Sequence, residues 1–207
     1  MAKILAIRNE QSDESAPPRL GDRAFDNLQF IRETMERSTH FTAVPGYGGM
    51  LMGATAIGAA FIANSQTYLR NWLLVWLIEA LLAFLIGILA MWQKSKLIKT
   101  PLTSAPARKF AKSFLPPLIC GIVLTLGLWR FEFYEAMVAG WLLSYGAAIV
   151  CGGAFSVKIV PVMGWLFIAL GAVVFLLPKG FGDEVMAASF GVLHIVFGFV
   201  IARKYGG

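Results

Sequence analysis

The sequence predicts an all-α polytopic membrane protein with six transmembrane helices in three hairpins and a cytoplasmic amphipathic helix. Three observations predict it. Of 207 residues, 57% are hydrophobic and only 14% are charged, against roughly 25% charged in soluble domains. The apolar residues gather into blocks close to the about 20 residues that a helix needs to cross the hydrocarbon core. The Lys and Arg residues stand at the ends of those blocks and form no patch, so the net charge of +6 reads as topology and excludes nucleic acid as a partner.

Residues 1–21 carry Lys3, Glu10, Asp13, Glu14 and Pro17-Pro18. Such a segment cannot repay its ordering entropy, and it lacks the basic-then-apolar order of a cleaved signal peptide. A flexible cytoplasmic tail is expected. Over 22–40, Phe25, Leu28, Ile31 and Met35 recur at helical spacing opposite Arg23, Asp26, Glu33, Glu36 and Arg37. This predicts a juxtamembrane amphipathic helix, too charged to span and suited to packing on the bundle or on a partner.

Residues 41–207 form the six-helix transmembrane domain. The first span, 46–63, follows Val44-Pro45 and holds the Gly49/Gly53 pair, a GxxxG spacing that permits close helix approach. The second, 72–92, has Trp72, Trp76 and Trp92 towards its ends, where indole favours the interface, and Glu79 inside. The connection 93–112 holds Lys94, Lys96, Lys99, Arg108, Lys109 and Lys112 without an acid, and Pro101 and Pro106 are expected to break any helix there. The third span, 114–129, opens at Pro116-Pro117, and the fourth is 136–155. The fifth, 159–177, stops at Pro178, and the sixth, 185–202, carries His194 and ends at Arg203-Lys204. Prolines at Pro45, Pro116-Pro117 and Pro161 suggest that the hairpins repeat, although proline suits any helix start.

With both termini in the cytoplasm, only Arg70, Arg130 and Lys179 of the 18 basic residues fall outside. The positive-inside rule therefore predicts a multi-pass membrane protein in that orientation.

Ionisable groups inside a membrane normally face the bundle interior, where they are paired or functional. Counted from the outer interface, Glu79 lies about seven residues deep and Tyr145 and His194 about nine, within about one turn of each other. Thr55 and Thr125 reach comparable depths. A polar ring of Thr55, Glu79, Thr125, Tyr145 and His194, with Glu79 and His194 able to exchange a proton, is the candidate site. Packing or subunit contacts are the plainer readings of the same residues.

Catalytic, metal and cofactor sites are not expected. No phosphate-cradling loop, HExxH or nucleophile elbow occurs, His40 and His194 lie too far apart in depth for a haem, and Cys120 and Cys151 read as packing residues.

The last hairpin, Val160-Pro161 through Gly164, Gly171, Pro178 and Gly191 to Gly198, resembles that of the HdeD-like acid-resistance membrane proteins, which implies a small six-helix inner-membrane protein. The segments 32–37 and 41–46 resemble a signature of uncharacterised small bacterial inner-membrane proteins. The leading expectation is a non-enzymatic, self-associating or accessory subunit. Its partners would be membrane lipids and a second copy or another membrane protein, met through helix faces or residues 22–40. The alternative is a channel or transporter for protons or a small polar solute at Glu79 and His194.

Overall fold

The computed structural model describes residues 27–31, 35 and 40–206, and the chain divides into two units, Met1–Arg37 and Ser38–Gly207. In the first unit, residues 27–31 and 35 are helical and exposed. The tail over 1–21 and the rest of the 22–40 amphipathic helix lie outside the described residues.

The described residues of the second unit are helical apart from turns, the irregular stretch before Gly46 and one isolated bridge between Phe41 and Ser156. Its helices are α1 (Gly46–Asn64), α2 (Leu69–Leu97), α3 (Ala105–Arg130), α4 (Ala136–Gly153), α5 (Ile159–Val174) and α6 (Gly182–Tyr205). Five of them are long and apolar enough to cross a membrane. The chain is thus a multi-pass membrane protein by helix length and hydropathy. At 16 residues, α5 is the exception: at about 1.5 Å per residue it falls short of the hydrocarbon thickness, although the chain stays apolar to Leu177.

The third helix corrects the expected boundary. It starts at Ala105, well before 114, and runs through Pro116 and Pro117. Pro106 does not break it, because a proline in the first turn lacks only an N–H that has no intrahelical partner there. Ser104 supplies the cap by accepting from the Ala107 N–H. Pro116 and Pro117 each deny a donor to the carbonyl four residues earlier, Lys112 and Ser113, which lie near the helix end that a membrane leaves to water or headgroups. The basic residues of 93–112 consequently stand mostly on helix ends, with a connection of only 98–104 between them.

Packing does not follow three separate hairpins. Helix α1 lies between α2 and α6, and α4 lies between α3 and α5, while α5 and α6 touch only sparsely. Glycine lets two seams close to backbone contact. A methyl group on Gly146 would sit 2.8 Å from the Gly164 carbonyl oxygen, and one on Gly53 would sit 2.5 Å from that of Gly191. Gly49 also faces α6, at Gly198. The Gly49/Gly53 pair therefore packs inside this chain. The core between the helices holds Leu142, Phe167, Met163, Trp76 and Phe197.

The stretch before α1 straps one end of the bundle. Phe41 and Ala43 are buried, the Phe41 amide donates to the Phe155 carbonyl at 2.6 Å, and Ser156 Oγ donates to the Phe41 carbonyl at 2.8 Å. The Phe41 ring meets Phe110 of α3 at 5.1 Å between centroids. On the other side, the buried Lys94 of α2 donates to the carbonyls of Val44 and Gly206.

Candidate functional site

Helix α6 is irregular where it crosses α1. Residues Ala187–Leu193 are π-helical, a geometry that inserts an extra residue into a helix and is frequent at functional sites. The insertion rotates everything after it relative to an ideal helix, and the first residue after it is His194. Ser189, fully buried within the segment, donates back to the Val185 carbonyl at 2.6 Å.

His194 is 5% exposed. Its Nε2 lies 2.7 Å from the Tyr145 hydroxyl of α4. The ring stacks on Phe190 and meets Phe167 edge-on at 5.5 Å. The Ser189 and Phe190 carbonyls approach the imidazole, yet its Nδ1 is buried and forms no hydrogen bond. A buried polar atom without a partner costs about 1–3 kcal/mol, so each one in a folded protein calls for a reason. A neutral imidazole carries one proton on one of its two nitrogens. If Tyr145 donates to Nε2, Nδ1 presents N–H; if Nε2 donates to Tyr145, Nδ1 presents a lone pair.

The other residues of the expected ring do not join this pair. Glu79, 7% exposed, has its Oε1 2.8 Å from the Thr55 hydroxyl, which also lies 2.9 Å from the Met52 carbonyl. Thr125 donates to the Gly121 carbonyl at 2.8 Å and accepts the Trp141 indole N–H at 2.7 Å. Among the described residues no hydrogen bond or ion pair joins Glu79 to His194. The ring resolves into three pairs: Thr55 with Glu79, Thr125 with Trp141, and Tyr145 with His194. Cys120 and Cys151 are free and exposed, which corrects their reading as packed side chains.

Sequence reading passed over Asp183, in the first turn of α6 at the end of the bundle away from the strap. Its Oδ1 accepts the indole N–H groups of both Trp72 and Trp76, at 2.8 and 3.0 Å, and Trp72 stacks on Trp141 with 5.6 Å between centroids. One carboxylate thus ties α2 to α6, and one indole stack ties α2 to α4. Asp183→Asn keeps an acceptor oxygen and should leave thermal stability in mild detergent nearly unchanged. Asp183→Ala strands two indole donors and should cost about 1.5 kcal/mol. Equal midpoints for the two variants would show that the carboxylate is no clamp.

The two ends of the bundle are therefore closed differently, by indoles and Asp183 at one end and by the Phe41 strap and Lys94 at the other. The Tyr145–His194 pair lies between them. Comparison with known protein families, with curated proteins and with solved structures found no match to this chain.

Proposed function

We propose that the chain conducts protons or a small polar solute across the membrane through a site centred on His194 and Tyr145, with both termini in the cytoplasm. The buried, unpartnered Nδ1 of His194 carries the reading. A proton or polar group arriving at Nδ1 meets a ring whose other nitrogen is already bonded to Tyr145. Uptake at Nδ1 of the tautomer protonated at Nε2, with the Nε2 proton passing to the Tyr145 oxygen as that hydroxyl gives up its own proton to the next acceptor, leaves the other tautomer, which a ring flip or a proton return resets before the next transfer in the same direction. Supporting features are the π-helical segment beside His194 and the position of the pair where α6, seated on α1, meets α4.

The self-associating or accessory subunit rests on abundant small residues and compact loops. Two of those small residues, Gly49 and Gly53, face α6 of the same chain, so the transport reading is preferred.

The test is proton flux into liposomes that hold the purified chain and a pH-sensitive dye, driven by a potassium diffusion potential. Wild-type vesicles should exceed empty ones. His194→Ala should lower the flux roughly tenfold or more, the low end for removing a positioned proton-transfer group. Tyr145→Phe should lower it less, and Glu79→Gln should leave it unchanged. Flux in wild-type vesicles no higher than in empty ones, for protons and for a panel of small polar solutes, would refute the proposal.

A further inference from the structure

We infer that the strap end of α2 carries a binding site for the phosphate headgroup of an anionic phospholipid. The inference stands apart from the transport reading. The last turn of α2 and the chain that folds back from it enclose an open groove of about 380 Å³, lined by Trp92, Ser95, Lys96, Lys99, Pro101, Leu102 and Thr103. Lys99, at φ 53°, makes the reversal. Its amide donates to the Lys96 carbonyl, and the Thr100 amide donates to that of Ser95, so the two walls are held by backbone bonds.

The charge of the groove is one-sided. Among the described residues no carboxylate lines it, and neither Lys96 nor Lys99 forms an ion pair. The Lys96 ammonium lies 3.5 Å from the centre of the Trp92 ring, which holds it over the groove wall by a cation–π contact. Two unneutralised ammonium groups suit a phosphate. The described lining offers no acid to partner the ammonium of a zwitterionic headgroup, which selects lipids of net negative charge.

The helix face below the groove identifies the anion as part of a lipid. Leu85, Leu89, Trp92 and Lys96 succeed one another at spacings of four and three, so they stack on one face of α2, and all four are exposed. From Leu85 to Lys96 the helix rises about 16 Å, close to half the roughly 30 Å hydrocarbon core. A phospholipid laid along this face would rest its acyl chains on Leu85 and Leu89. Its ester region would lie at the Trp92 indole, at the depth tryptophan favours, and its phosphate between Lys96 and Lys99.

The experiment is native mass spectrometry of the full chain released from vesicles of equal parts phosphatidylglycerol and phosphatidylcholine. The wild type should retain phosphatidylglycerol in preference to phosphatidylcholine. The double variant Lys96→Gln/Lys99→Gln should retain about tenfold less of it. Lys158→Gln/Lys204→Gln, which removes the same charge outside the groove, should retain as much as the wild type, and excess inorganic phosphate should displace none. Equal retention of the two lipids, undiminished retention by the groove variant, or an equal loss in the control variant would overturn the proposal. Displacement by inorganic phosphate would also overturn it, by assigning the groove to a free anion. Because Lys96 and Lys99 are exposed, their replacement leaves the packing of the bundle intact.

Discussion

Gly146→Val should part α5 from α4 and lower the stability of the purified chain by about 3 kcal/mol, the upper end for overpacking a tight contact. The obstacle is main chain: the first added carbon would lie 2.8 Å from the Gly164 carbonyl oxygen and 2.9 Å from the Ile168 amide nitrogen. A side chain can change rotamer, but a helix must move as a body. Gly164 is hemmed in reciprocally, with the Gly146 carbonyl and the Val150 amide at 2.8 Å, so no shift along the seam relieves one contact without tightening the other. At 16 residues, α5 has few other contacts to hold it, since it packs chiefly on α4. The comparison that isolates the cause is Gly58→Ala and Gly127→Ala. A methyl group at either position meets nothing within 4 Å, so helix propensity alone should raise stability by up to about 1 kcal/mol. Thermal unfolding in mild detergent reads all three variants. A Gly146→Val midpoint no lower than that of Gly58→Ala would show that the seam has room to spare.

Much of the fold could be read from residue types, because a membrane demands long apolar runs and the chain supplies them in register with its glycines and terminal cations. Polarity and spacing do not carry direction around a helix axis. Glu79 and His194 sit at matching depths, which counting residues reveals, but whether they meet depends on which helices are neighbours and how each is rotated. Glu79 turns to Thr55 on α1, and the π-helical segment before His194 advances that ring towards Tyr145. No local residue pattern announces that segment. Likewise, the glycine spacing of α1 marks a close contact without naming the partner helix, which is α6 of the same chain. Pro116 and Pro117 misled for a related reason. Their helix-breaking effect is a loss of donors, and near a helix end other groups can make that loss good. Asp183 went unremarked because its two indole partners lie more than a hundred residues away in sequence.

Lys94→Met should loosen the strap while leaving the helices in place. Methionine keeps an unbranched apolar stem of similar reach, so the change removes the donors and the charge with little loss of packing. It leaves the Val44 carbonyl without its partner next to the buried Ala43, together with the Gly206 carbonyl at the end of α6. Gly206 is exposed and can turn to water. The uncompensated loss is therefore mainly the charged bond to Val44, about 2 kcal/mol. That energy should appear locally before it appears globally, because the strap is held from the other side by the Phe155 and Ser156 bonds and by local packing such as that of Phe41 on Phe110. Amide exchange at Phe41, whose N–H is bonded to the Phe155 carbonyl, should accelerate about thirtyfold, while amides in the middle of α4 keep their protection. Ser156→Ala removes a neutral bond and should produce a smaller acceleration at the same amide, about fivefold. Should Phe41 exchange be unaffected by Lys94→Met, the lysine would be a passenger in the strap and its burial would need another cause. Should the α4 amides accelerate as much as Phe41, the strap and the bundle would open as one unit, and Lys94 would hold the whole fold rather than one end of it.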